Sequence, residues 1–216
     1  MSFMKEIITK NIPIWDQCAA TPFLKELQTG VLSIEKFKSY IIQDSIYLKN
    51  YARVYGKMIY CATTLTDMQQ YYSALSFVTD TESVTRLYYL KQFGITDDDI
   101  EYIEPLPENK KYLDFLLAIA EQGSAVEMLM AVLPCMLSYS YIFRKIRKMP
   151  ETVSSKYDAL IQDYAEDVYY ESCKNLYYFA ATKYNCLSEK EREKSSTIFE
   201  KASFLELDFW KMAYGG

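Results

Sequence analysis

The sequence predicts an all-α protein folded as one helical bundle, and three observations carry that reading. Glycine and proline number six each in 216 residues, too few for a turn-rich β protein. Half of the residues are hydrophobic, which suits a sizeable core and argues against disorder. Apolar residues recur at helical spacing behind Ser and Thr caps, and no strand-like alternation bounded by turn signals is present. Without a linker or an internal repeat, residues 1–216 read as a single domain.

Each element has its own signal. Phe3 to Asn11 reads as a short opening helix broken at Pro13. Thr21-Pro22 starts a helix from Phe23 to Gln28, which Gly30 closes. Ser33 caps a long helix from Ile34 towards Thr63, with Phe37, Tyr40, Ile41, Asp44, Leu48, Tyr51 and Tyr55 along one side. Thr66 and Gln69 form a capping-box pattern for a helix from Met68 to Phe93, ended by Gly94. The acidic run Asp97 to Asp99 starts one more turn, and Pro105 and Pro107 mark a loop before a helix from Asn109 to Gln122. Gly123 ends that helix, and Ser124 with Glu127 caps the next, which runs to Lys148 and stops at Met149-Pro150. Ser154 to Tyr184 reads as one further helix, and Ser188 with Glu191 caps Glu189 to Tyr214. The short connections favour antiparallel neighbours.

Composition excludes several functions. A net charge of −5 and a pI near 5.0 leave no basic footprint for nucleic acid or anionic membrane. Met1 to Lys10 is too short and mixed for a signal peptide, and the apolar run Met128 to Leu137 is too short to span a bilayer. A soluble, cytoplasmic protein is expected. Cys18, Cys61, Cys135, Cys173 and Cys186 are odd in number and scattered, with no C-x-x-C pair, so they suggest reduced thiols rather than disulfides or a zinc site. Histidine is absent. That removes Ser-His-Asp and Cys-His units, H-E-x-x-H metal sites and histidine-ligated haem. Acid–base chemistry must then fall to carboxylates, tyrosines, lysines or a thiol.

The stretch from Ser124 to Tyr141 is where such chemistry is most legible. Pro134 interrupts the apolar run, removes one backbone hydrogen bond and clashes with the carbonyl of Met130, so a bend beside Cys135 is expected. Ordinary packing also produces buried cysteines and kinked helices. Asp44 falls within an apolar helix face between Ile41 and Leu48, and Glu206 is followed at helical spacing by Phe209, Trp210 and Ala213. Each acid must be paired, hydrogen-bonded or protonated if buried, either by a structural partner or as part of a site. Together with Cys135 they outline a thiol–carboxylate site in which burial raises the pKa of Glu206. Tyr47, Tyr112, Tyr139 and Tyr164 are candidate pocket walls among 21 tyrosines. Tyr139 stands out because it lies four residues beyond Cys135 on one helical face.

The segments QDSIYL (Gln43 to Leu48), LPCMLSY (Leu133 to Tyr139) and ELDFWKMAY (Glu206 to Tyr214) resemble the TenA family of thiaminase II enzymes. The early run TPFLKELQTGVLSIEKFKSYIIQD is similar to that family's opening, and the likeness extends over essentially the whole chain. The resemblance implies a haem-oxygenase-like bundle that binds no haem, usually assembled as a homotetramer, with neither metal nor organic cofactor. It also implies roles: Cys135 as nucleophile, Asp44 as the group that holds the aminopyrimidine, Glu206 as acid/base partner. Tyr47, Tyr112, Tyr139 and Tyr164 fall where the family places pocket aromatics that bind the substrate. Three positions depart from the family pattern: Ser45 replaces a common aromatic, Arg86 lies where histidine is frequent, and Leu160 stands where tryptophan is frequent.

The activity so implied is hydrolysis of 4-amino-5-aminomethyl-2-methylpyrimidine to the hydroxymethyl pyrimidine and ammonia, with cleavage of thiamin by the same route. Two alternatives stand beside it. One is a quinone-cofactor synthase relative on the same fold, which the lack of histidine disfavours. The other is a non-catalytic pyrimidine-binding or regulatory protein, for which Cys135 and Glu206 would both be unnecessary.

Overall fold

The computed structural model describes residues 3–150, 152 and 155–215, with the side chains of residues 80–83 outside that description. Among the described residues the regular structure is helical throughout. The elements are α1 (Phe3–Ala19), α2 (Pro22–Thr29), α3 (Ile34–Cys61), α4 (Leu65–Ser76), a π-helical stretch (Phe77–Glu82), α5 (Ser83–Gln92), α6 (Asp97–Ile100), α7 (Pro107–Gln122), α8 (Ala125–Arg147), α9 (Asp158–Ala165), α10 (Asp167–Asn185) and α11 (Glu189–Gly215).

The caps show why several of these helices start where they do. Ser33 accepts from the Lys36 amide, and the boxes Thr96/Asp99, Ser124/Glu127 and Ser188/Glu191 satisfy otherwise orphaned amides at the starts of α6, α8 and α11. Gly30 closes α2 with a left-handed φ of 76°. Gly123 serves a different end. Its backbone is extended, and a Cβ there would lie 2.6 Å from the Ile119 carbonyl oxygen, so close approach rather than handedness requires glycine.

Four boundaries differ from the sequence reading. Pro13 does not break α1, which continues to Ala19 because Ile14, Trp15 and Cys18 are buried and tertiary packing outweighs one lost hydrogen bond. Thr64, not Thr66, caps α4 by accepting from the Asp67 amide. The helix expected from Met68 to Phe93 passes through the π-helical stretch. The helix expected from Ser154 to Tyr184 is split at Glu166, whose ψ of 155° leaves the helical region; Ser154 lies outside the described residues. Pro134 leaves α8 helical on both sides.

α8 is the hub, in contact with α1, α3, α7, α9, α10 and α11. Every residue from Glu127 to Met136 is buried, so the helix is enclosed all round rather than amphipathic. By length and composition α8 could cross a bilayer, yet 83% of its most apolar window is buried inside the bundle, as in a core helix. Around it, Trp210 stacks on Tyr40 at 5.5 Å between ring centroids and packs against Phe23 at 5.7 Å and Tyr139 at 5.0 Å. This aromatic cluster ties α2, α3, α8 and α11 together. Trp210→Ala is expected to cost about 3–5 kcal/mol of unfolding free energy, read from urea denaturation; a loss below about 1 kcal/mol would show that the cluster is not a keystone of the core.

Candidate active site

The two acids and the thiol predicted from sequence meet in the interior. Asp44 comes from α3, Cys135 from α8 and Glu206 from α11, and none is more than 6% exposed. The Tyr112 hydroxyl, from α7, donates to Glu206 Oε1 at 2.7 Å, and the Cys135 thiol lies beside the same carboxyl group. Asp44 lies within electrostatic reach of both Glu206 and Tyr139. Side chains distant in sequence thus pack together in the interior, with four helices each supplying a group.

Burial decides how these groups ionise. Desolvation pushes Glu206 up to about 7, with the Asp44 charge adding to it and the bonds from Tyr112 and Cys135 pulling back. Desolvation likewise pushes Asp44 up to about 7, opposed by the guanidinium of Arg86. The phenols of Tyr47, Tyr112 and Tyr139 are driven well above their ordinary value, first by burial and then by neighbouring acidic groups, so they remain protonated donors. A carboxyl near neutrality can both take and return a proton at physiological pH.

Of the aromatic candidates, Tyr47 packs on Tyr112 at 4.9 Å and on Phe209 at 5.9 Å. Its buried hydroxyl lies beside that of Tyr112 and has no hydrogen-bond partner. Such an orphan costs free energy unless a ligand satisfies it. Tyr139 meets Trp210 and shares a 3.3 Å hydrogen bond with the Tyr40 hydroxyl. Tyr164 stands one ring further out, edge-on to Tyr139 at 4.9 Å and against Phe143 at 5.0 Å.

The structure adds residues that the sequence reading did not assign to the site. Gln43 Oε1 accepts from both Asn109 Nδ2 and the Leu106 amide at 2.9 Å, which fixes the turn of α3 that carries Asp44 against the start of α7. Tyr51 donates to the Val132 carbonyl at 3.1 Å, bracing α8 one turn before Cys135. Tyr51 was legible in part, because it follows Asp44 by seven residues and Tyr47 by four on one helical face. Asn109 carries no comparable signal, since its partner is distant in sequence. Cys18 also faces Glu206, but burial raises its thiol far above the ordinary range, and it stays protonated.

The model of the TENA/THI-4/PQQC family matches residues 9–216. The chain belongs to this family. A relative from Halalkalibacterium halodurans, named aminopyrimidine aminohydrolase, is 33% identical over 99% of this chain and 96% of its own length. Among solved structures, a TenA homologue from P. horikoshii superposes with a TM-score of 0.88 at 26% identity, covering all of both chains. A domain with a heme oxygenase-like fold from Shewanella denitrificans reaches a TM-score of 0.72 at 14% identity over 98% of this chain and 91% of its own, and supports the fold alone. The TENA/THI-4/PQQC assignment covers the segments that carry Asp44, Cys135 and Glu206, so the site lies wholly within the matched region.

The raised carboxyls make stability depend on pH. Asp44 and Glu206 hold their protons up to about 7 in the folded state but release them nearer 4 when unfolded, so between those values the folded chain binds more protons. Stability therefore falls as pH rises through that window. The lowered carboxyls Asp16, Asp99 and Glu191 act below it and do not compensate. The thermal midpoint of the unliganded protein is expected to drop between about pH 5 and about pH 7.5, and Glu206→Gln should make the decline shallower; equal slopes in variant and wild type would contradict these ionisation states.

Proposed function

We propose that the protein is an aminopyrimidine aminohydrolase of thiamin salvage, acting on 4-amino-5-aminomethyl-2-methylpyrimidine. The observation that carries this reading is the Cys135 thiol set beside the Glu206 carboxyl, which Tyr112 holds by a hydrogen bond, with a second buried acid within electrostatic reach. A binding module needs no thiol held against a carboxyl poised near neutrality. The name of the H. halodurans relative supports the same substrate class.

In this reading Asp44 takes the aminopyrimidine edge through its exocyclic amine and a ring nitrogen, and the flat rings of Tyr47, Tyr139 and Phe209 flank it. The unpartnered Tyr47 hydroxyl is free to bond the ligand. Tyr112 holds Glu206, and Tyr164 supports Tyr139 from behind. Glu206 removes the Cys135 proton, the thiolate forms a bond to the pyrimidine ring, and the displaced ring electrons expel the amine from the methylene. Glu206 returns the proton to the departing amine, which leaves as ammonia. Water then bonds to the exocyclic carbon and gives a proton to the Glu206 carboxylate, electrons flow back into the ring, and the carbon–sulfur bond breaks to release the hydroxymethyl pyrimidine and a thiolate that recovers its proton from Glu206. With a thiazolium as leaving group the same sequence cleaves thiamin. Every proton and electron pair is supplied by side chains, substrate or water, so the scheme draws on no cofactor.

Family resemblance further supports a homotetrameric, cytoplasmic enzyme with no nucleic-acid or membrane partner. The decisive experiment is ammonia release from the aminomethyl pyrimidine, together with calorimetric titration of the hydroxymethyl product. Cys135→Ala is expected to lose more than about a thousandfold in turnover while affinity for the product changes by less than about threefold. Undiminished turnover in that variant would remove the thiol from the mechanism, and wild-type binding without ammonia release would favour a pyrimidine-binding module.

A further inference from the structure

Asn109 is wholly buried on the first turn of α7, and its Nδ2 donates twice to one residue of α3: to the main-chain carbonyl of Gln43 and to Gln43 Oε1, each at 2.9 Å. Gln43 Oε1 also accepts from the Leu106 amide at 2.9 Å. Leu106 is the N-cap of α7 and offers no side-chain cap. In a capping box the N-cap amide is taken by the side chain at the third helical position. Here that position is Asn109, which is turned to Gln43, and a glutamine 63 positions earlier in the chain takes the amide instead. Turned over, the Asn109 amide would set its oxygen against two acceptors, so its partners fix which atom faces Gln43. Its Oδ1 is left buried with no hydrogen-bond partner among the described residues. Leucine has nearly the same shape and leaves no such orphan, so a plain apolar seam would cost less than this amide does.

The residues on either side of this clasp are those of the candidate site. Gln43 precedes Asp44 by one position and Tyr47 by four, and Asn109 precedes Tyr112 by three. One turn beyond the clasp on both helices, Tyr47 packs on Tyr112 at 4.9 Å, and Tyr112 holds Glu206 Oε1 at 2.7 Å. Clasp and tyrosine pair are thus successive rungs between α3, which bears Asp44, and α7, which holds the acid. The ring contact is apolar and tolerates a small slide of one helix along the other, because burial is non-directional. Three hydrogen bonds converging on one residue do not, since each weakens steeply with distance and angle.

Building on the proposed aminohydrolase reading, we propose that Gln43 and Asn109 are positioning residues that act as one clasp, holding α3 in register with α7 so that a pyrimidine seated on Asp44 meets the thiol and the acid in line. Neither residue touches the substrate. A pyrimidine bound to Asp44 and Tyr47 travels with α3 and keeps those contacts when the register loosens; what it loses is alignment with Cys135 and Glu206. The clasp therefore acts on kcat rather than on KM. A displacement of about 1 Å is enough to lower turnover by about a hundredfold.

The test uses Asn109→Leu, Gln43→Met and the double variant of the full-length protein, with ammonia release from the aminomethyl pyrimidine followed well below each thermal midpoint. Each single variant is expected to lower kcat about thirtyfold with KM changed less than about threefold. The double variant should lose less than about threefold more than either single one, because the first substitution already opens the clasp. Asn109→Ser, which keeps a shorter donor, should fall between wild type and Asn109→Leu. Wild-type kcat in Asn109→Leu, even with a lowered thermal midpoint, overturns the proposal and leaves the pair a structural contact. Losses that multiply in the double variant, or a KM that rises in step with the fall in kcat, overturn it as well. Crystal structures of unliganded wild type and Asn109→Leu supply a measurement that needs no turnover: the separation of the Asp44 and Glu206 carboxyl carbons is expected to change by about 1 Å. An unchanged separation overturns the clasp. Absence of ammonia release by the wild type instead strikes the aminohydrolase reading, and the separation still decides the role of Gln43 and Asn109. If Asn109→Leu and Gln43→Met do not fold, kcat and the same separation in Asn109→Ser decide it, with wild-type values for both overturning it.

Discussion

Two carboxyl groups share one dry interior, and the rest of the molecule is arranged around tolerating them. Burying either alone as an anion would cost several kcal/mol, and burying both raises each further. The fold answers with specific partners rather than with solvent: Tyr112 and Cys135 on Glu206, and the charge of Arg86 near Asp44. What would be a liability in a purely structural core becomes a pair of acids held near neutrality, the range in which a proton can be moved in both directions.

Precision in such a cluster depends on rigid support, and that support comes from packing. α8 carries Cys135 through the centre of the bundle with no exposed face from Glu127 to Met136, so its register cannot slip without disturbing its neighbours. Tyr51 pins the turn before the cysteine, and Gln43 with Asn109 pins the turn of α3 that bears Asp44. The stacked Trp210 and Tyr40 lock α11, and with it Glu206, against α3. Stability and chemistry are served by the same aromatic cluster.

Much of this was readable in the chain itself, and the reasons are local. Helix starts at Ser33, Ser124 and Ser188 follow from side chains that satisfy amides three residues away. Asp44 and Glu206 were conspicuous because an acid within an apolar helical stripe violates the pattern around it. The misplaced boundaries have the opposite origin. Pro13 is carried inside α1 by burial of the residues beyond it, and the break at Glu166 and the π-helical stretch at Phe77–Glu82 have no strong local marker.

Helical periodicity and capping chemistry were enough to establish an all-α chain, and the absence of histidine narrowed its candidate acid–base groups to carboxylates, tyrosines, lysines or a thiol. These properties depend on residues within a few positions of one another, or on composition. The convergence of Asp44, Tyr112, Cys135 and Glu206, the orphaned Tyr47 hydroxyl and the Gln43–Asn109 pairing belong to the packed molecule. Contacts between side chains 66 to 94 positions apart leave no trace in spacing along the chain, because helix packing angles and the paths of the loops choose them.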